Sequence, residues 1–66
     1  MTAKDRYQAL LSLGAAMDRL SAWRNNADLM LKRCSPTEEY HWRNKKDNYS
    51  YLLTCLEVTQ RIVKSE

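Results

Sequence analysis

The sequence predicts an all-α fold, a two-helix antiparallel hairpin, and three observations predict it. One glycine, one proline and no phenylalanine leave little material for the turns and packed strands of a small β fold. Apolar residues recur at heptad-like spacing through both halves of the chain. Between the halves, Ser35-Pro36-Thr37-Glu38 carries the signals of a helix start: an N-cap serine, a proline at the first helical position and a glutamate that completes a capping box.

Helix 1 is expected over about residues 3–33. Thr2 and Asp5 have the spacing of a second capping box, and Lys32 and Arg33 lie where cations complement the helix dipole. Leu13, Leu20, Ala27 and Cys34 form one row, Ala9, Ala16, Trp23 and Met30 the next, with Leu10, Met17 and Leu31 beside them. Together they make one broad amphipathic face. Gly14 interrupts the helix, and close approach of the second helix is the expected reason.

The turn is expected at about 34–35 and helix 2 over about 36–64. Trp42, Tyr49, Leu56 and Val63, flanked by Leu52 and Leu53, form the expected seam against helix 1. Tyr51, Cys55, Val58 and Ile62 form a second row, roughly 130° around the helix at about 100° per residue. Two such stripes cannot both face one neighbour. A hairpin turning at Ser35 sets residue i roughly opposite residue 70 minus i, so Trp23, Ala27 and Met30 meet Trp42 and Tyr40 near the turn. A polar waist follows, which either stays wet or links through Asp28 and Asp47 to nearby cations, pairs that would set register more than stability.

A single domain of 66 residues is expected, and a core of that size supplies only about 3–5 kcal/mol. The hairpin is therefore expected to be completed as a homodimeric four-helix bundle or by a helical partner protein. The opening Met1–Arg6 lacks the apolar run of a secretory signal, and no stretch of about 18 apolar residues exists to span a membrane. Cys34 and Cys55 lie too far apart in a hairpin to bridge, roughly 30 Å at 1.5 Å per residue, and free thiols suit a reducing cytoplasm.

Few residues invite chemistry. His41 is the sole histidine and, with Glu38, makes half a metal site at best, so neither metal nor cofactor is expected. Neither cysteine has an evident activating base, and Glu38-Glu39 suits the first turn of a helix, so the chain reads as no enzyme. The net charge of +3 and the segment from Tyr40 to Tyr49 allow an alternative. Arg24, Arg43, Lys45 and Lys46 would then form a nucleic-acid face, although on a helix Arg43 and Lys46 fall on a solvent arc away from Trp42 and Tyr49.

In chain length, the Met1-Thr2-Ala3 opening, a turn near residue 35 and the Glu38-Glu39-Tyr40 start of helix 2, the chain resembles the small helical-hairpin co-chaperones of type III secretion needle subunits. The resemblance implies a hairpin that binds a second chaperone of helical-repeat fold, the two together keeping the needle subunit monomeric in the bacterial cytoplasm. In size and layout it is also similar to helical-hairpin accessory proteins of temperate phages, which implies a small regulator. The expectation from residues and resemblance together is a non-enzymatic, chaperone-like or adaptor hairpin. It would bind itself or a helical partner through Tyr51, Cys55, Val58 and Ile62.

Overall fold

Thr2 starts the first helix as its spacing predicts: the Asp5 N–H donates to Thr2 Oγ1 at 3.1 Å and the Arg6 N–H to the Thr2 carbonyl at 3.0 Å. From there α1 runs over Ala3–Arg33 and α2 over Glu39–Ser65. The structure, a computed structural model, describes residues 1–65, and among these there is no strand. The helices pack antiparallel into a rod of 50 × 14 × 11 Å. Its radius of gyration of 15.2 Å exceeds the roughly 11 Å of a compact globule of this length.

The link between the helices differs from the expected capping box. Cys34 is extended, its N–H closing α1 on the Met30 carbonyl at 2.8 Å. A residue before proline avoids helical backbone, which suits an N-cap as well as a turn, so the hydrogen bonds decide where α2 begins. Pro36, Thr37 and Glu38 instead form a tight turn closed by the Glu38 N–H on the Ser35 carbonyl at 3.0 Å. The Ser35 hydroxyl bonds the Thr37 hydroxyl at 2.9 Å rather than capping the helix. The first helical bond of α2 runs from the Trp42 N–H to the Glu38 carbonyl at 3.2 Å, which puts the helix start at Glu39 rather than Pro36. The centre of the hairpin accordingly moves from Ser35 to Pro36, and Trp23 faces Tyr49, equally far from that proline in sequence.

Residues spaced alternately by three and four form the seam, as in a coiled coil. On α1 these are Leu10, Leu13, Met17, Leu20, Arg24, Ala27 and Leu31; on α2, Trp42, Lys46, Tyr49, Leu53, Leu56, Gln60 and Val63, all buried or half-buried. Leu20, Ala27, Leu53 and Val63 are the buried members, Ala27 completely. Leu13, Leu20 and Ala27 of the expected row thus lie in the seam, while Cys34 ends α1 as its C-cap. The expected companion row of Ala9, Ala16, Trp23 and Met30 does not. One residue before the second seam row is enough to rotate it onto a flank, where Trp23 stays 51% exposed.

Leu52 is displaced by the same logic, 45% exposed beside a nearly buried Leu53. Gly14 also departs from expectation. A Cβ built there meets nothing within 4 Å, so no close helix approach explains the glycine.

Candidate interaction surface

α2 is a helix with two apolar sides. Its seam side is occupied by α1, while Tyr51, Cys55, Val58 and Ile62 lie almost diametrically opposite, because the seam centre falls between the Tyr49 and Leu53 rows. All four are exposed, Tyr51 by 70%, Ile62 by 56% and Val58 by 44%. Leu52 extends this surface toward the flank that carries Trp23. The sequence pattern alone assigned Leu52 to the seam, and only the three-four alternation through Lys46 and Gln60 reveals its true phase. Thr59 and Thr54 border the stripe on its two sides, and each turns its hydroxyl back onto its own helix. Thr59 Oγ1 donates to the Cys55 carbonyl at 2.9 Å and Thr54 Oγ1 to the Ser50 carbonyl at 3.1 Å.

The flanks of the seam differ. On one, Trp23 and Tyr49 pack with ring centroids 5.8 Å apart at 46°. On the other, Asp28 accepts a 2.7 Å hydrogen bond from Lys46 Nζ across the helices and lies 3.5 Å from Lys32 Nζ one turn along α1. The Lys46 hydrogen bond first, and the positive charge of Lys32 next, hold the Asp28 carboxyl below the usual carboxylate range. The polar waist is therefore tied through Asp28, whereas Asp47 is exposed and has no ion pair among the described residues.

Among the four cations of the candidate nucleic-acid face, Lys46 is half-buried against Asp28 rather than on a solvent arc, and Arg43 is paired with Glu39 one turn back. Lys45 lies over the Trp42 ring at 5.4 Å, so aromatic and cation do share a surface here, with His41 edge-on to the same ring at 5.1 Å. Arg24 is half-buried in the seam. The four charges thus point in different directions, and two of them are answered by carboxylates within the chain.

Cys34 and Cys55 are unbridged, the Cys34 thiol turned toward the Leu31 carbonyl at 3.5 Å. Among the described residues no group of three or more His, Cys, Asp or Glu side chains converges to hold a metal ion. No helix among the described residues is long and apolar enough to cross a membrane. Surface hollows lie beside Met1, Thr2, Ala3 and Arg6 and beside Pro36, Glu39, Tyr40 and Arg43, neither of them on the apolar stripe. No known protein family, curated protein or solved structure matches the chain.

Proposed function

We propose that this chain is a non-enzymatic protein-interaction module, an adaptor or chaperone-like hairpin that buries the Tyr51, Cys55, Val58 and Ile62 stripe against a helical surface. The observation that carries the reading is the position of that stripe. α1 already covers the opposite side of α2, so folding of the chain alone leaves these side chains in water. Contiguous exposed apolar residues on a helix are the usual mark of a docking face, read by a partner as anchors spaced three and four residues apart. The similarity to needle-subunit co-chaperones supplies one cellular setting for such a module, the bacterial cytoplasm.

Replacing Val58 and Ile62 by Asp tests the reading. The double variant should stay helical by circular dichroism while losing the assembly that the wild-type chain forms, seen as a fall in solution mass by light scattering. Assembly that survives both substitutions would place the interface elsewhere and end this reading.

Nucleic-acid binding makes the opposite prediction. Affinity carried by Arg24, Arg43, Lys45 and Lys46 should fall steeply as salt rises and vanish on charge reversal at Lys45 and Lys46. The pairing of Arg43 and Lys46 with carboxylates favours no detectable binding to single-stranded DNA or RNA even at low salt.

A further inference from the structure

We infer that the Trp23 flank of the seam docks an acidic amphipathic helix of another protein. This surface is distinct from the stripe behind α2, with Leu52 lying between the two. Charge is sorted about the seam. At about 100° per residue, Asp18, Asp28, Asp47 and Glu57 all fall on the Asp28 side of the rod, in company with Lys32 and Arg43. Arg19, Arg33 and Lys45 fall on the Trp23 side, where neither helix carries a carboxylate from Ala16 to Arg33 or from His41 to Thr59. None of these three cations has an ion pair among the described residues. One flank therefore answers its own charges, and the other presents positive charge alone.

The unanswered cations frame apolar ground. Ala16, Trp23 and Met30 of α1 run beside Tyr49 and Leu52 of α2, and both Trp23 and Leu52 remain exposed. Arg19 lies four residues from Trp23 toward the open end. Lys45, as far from Pro36 as Ala27 is, lies the same distance from Trp23 toward the turn, so the two charges straddle the indole by about 6 Å each way along the rod. The Trp42 ring holds the Lys45 ammonium at 5.4 Å, which fixes one of those charges at the rim. A groove between two helices, apolar along its floor and cationic at its edges, fits a third helix that turns an apolar row downward and carboxylates to the sides. Nucleic acid fits less well. Stacked bases need a row of open rings, whereas Lys45 covers Trp42 and Tyr49 packs on Trp23.

Three labelled synthetic helices of about 18 residues, long enough to span the groove, test the inference on the full chain at low salt. One has a leucine row bordered by glutamates, one the same row bordered by lysines, and one the glutamates with alanine in place of leucine. The first should bind and the other two at least tenfold more weakly. Its affinity should fall at least tenfold as salt rises from about 0.02 M to about 0.5 M. Arg19→Glu/Lys45→Glu and Trp23→Ala should each weaken it at least tenfold in chains that stay helical by circular dichroism. Val58→Asp/Ile62→Asp should leave it unchanged, so this flank and the stripe behind α2 can fail separately.

No binding of the glutamate peptide, equal binding of the glutamate and lysine peptides, or binding that survives Arg19→Glu/Lys45→Glu would each overturn the inference. Loss of binding in Val58→Asp/Ile62→Asp would overturn it too, by moving the acidic helix to the stripe. Single-stranded DNA bound more tightly than the glutamate peptide, and released by the same charge reversal, would make the flank a nucleic-acid face instead. The peptide comparison needs only the wild-type chain, so a variant that fails to fold leaves the inference open to refutation.

Discussion

On one flank of the seam Trp23 leans on Tyr49, and beside them lie Ala16 and Leu52. On the other flank Asp28 gathers Lys46 and Lys32, in the same helical row as Ser21 and Gly14. Both flanks cross the same pair of helices, yet the first holds by contact area and the second by charge. Ring packing is indifferent to salt and pH, while a half-exposed ion pair is sensitive to both and contributes mainly to which residues stand opposite each other. The aromatic pair and the Asp28 to Lys46 link together pin the register on the side of the rod nearer the turn. Toward the open end, Leu53, Leu56 and Val63 hold the helices by burial alone.

The largest expected effect comes from the aromatic flank. Tyr49→Ala removes a ring that is half-buried in the seam and leaves Trp23 without its partner. A loss of about 2 kcal/mol is expected, less than the 3–5 kcal/mol typical of a fully buried aromatic. Urea midpoints followed by circular dichroism at fixed protein concentration measure it. The loss should be the same at low and high salt; a loss that shrank with salt would mean that the two flanks are not separable.

Much of this layout was legible in the residues, for a physical reason: the period of a helix is rigid, so the rows Leu13, Leu20, Ala27 and Tyr51, Cys55, Val58, Ile62 could be drawn before any coordinates. Phase was harder. Trp23 and Leu52 each sit one position from a seam residue, and hydrophobicity alone draws them inward. Polar Arg24, Lys46 and Gln60 occupy the seam positions that a hydrophobic pattern skips. The link misled for a different reason. Ser35 has the composition of an N-cap, but its hydroxyl bonds Thr37 and a tight turn closes on its carbonyl instead. A one-residue change in the turn centre then moved the position opposite Trp23 from Asp47 to Tyr49.

A smaller effect, of opposite sign, belongs to the ionic flank. Gly14 shares the helical row of Asp28, and a methyl group there has open space on every side. Gly14→Ala should therefore raise stability by about 0.5–1 kcal/mol through helix propensity alone, with no clash to offset the gain. Any loss of stability would show that this flank is more tightly covered than the open space beside Gly14 implies.

The finest test of the comparison is pH. Lys46 and Lys32 lower the folded-state pKa of Asp28, so the carboxylate contributes stability that is fully present above the unfolded value of about 4 and is lost as pH falls through the lower folded value. Asp28→Asn lacks that titration. The difference in urea midpoint between wild type and Asp28→Asn should stay constant above about pH 5, narrow as the carboxyl protonates below pH 4, and narrow again at neutral pH when salt is raised toward 1 M. The Tyr49→Ala difference should show neither trend. A difference for Asp28→Asn that is flat across pH would mean that Lys46 and Asp28 stand together through the packing of their neighbours. The aromatic flank would then set the register by itself.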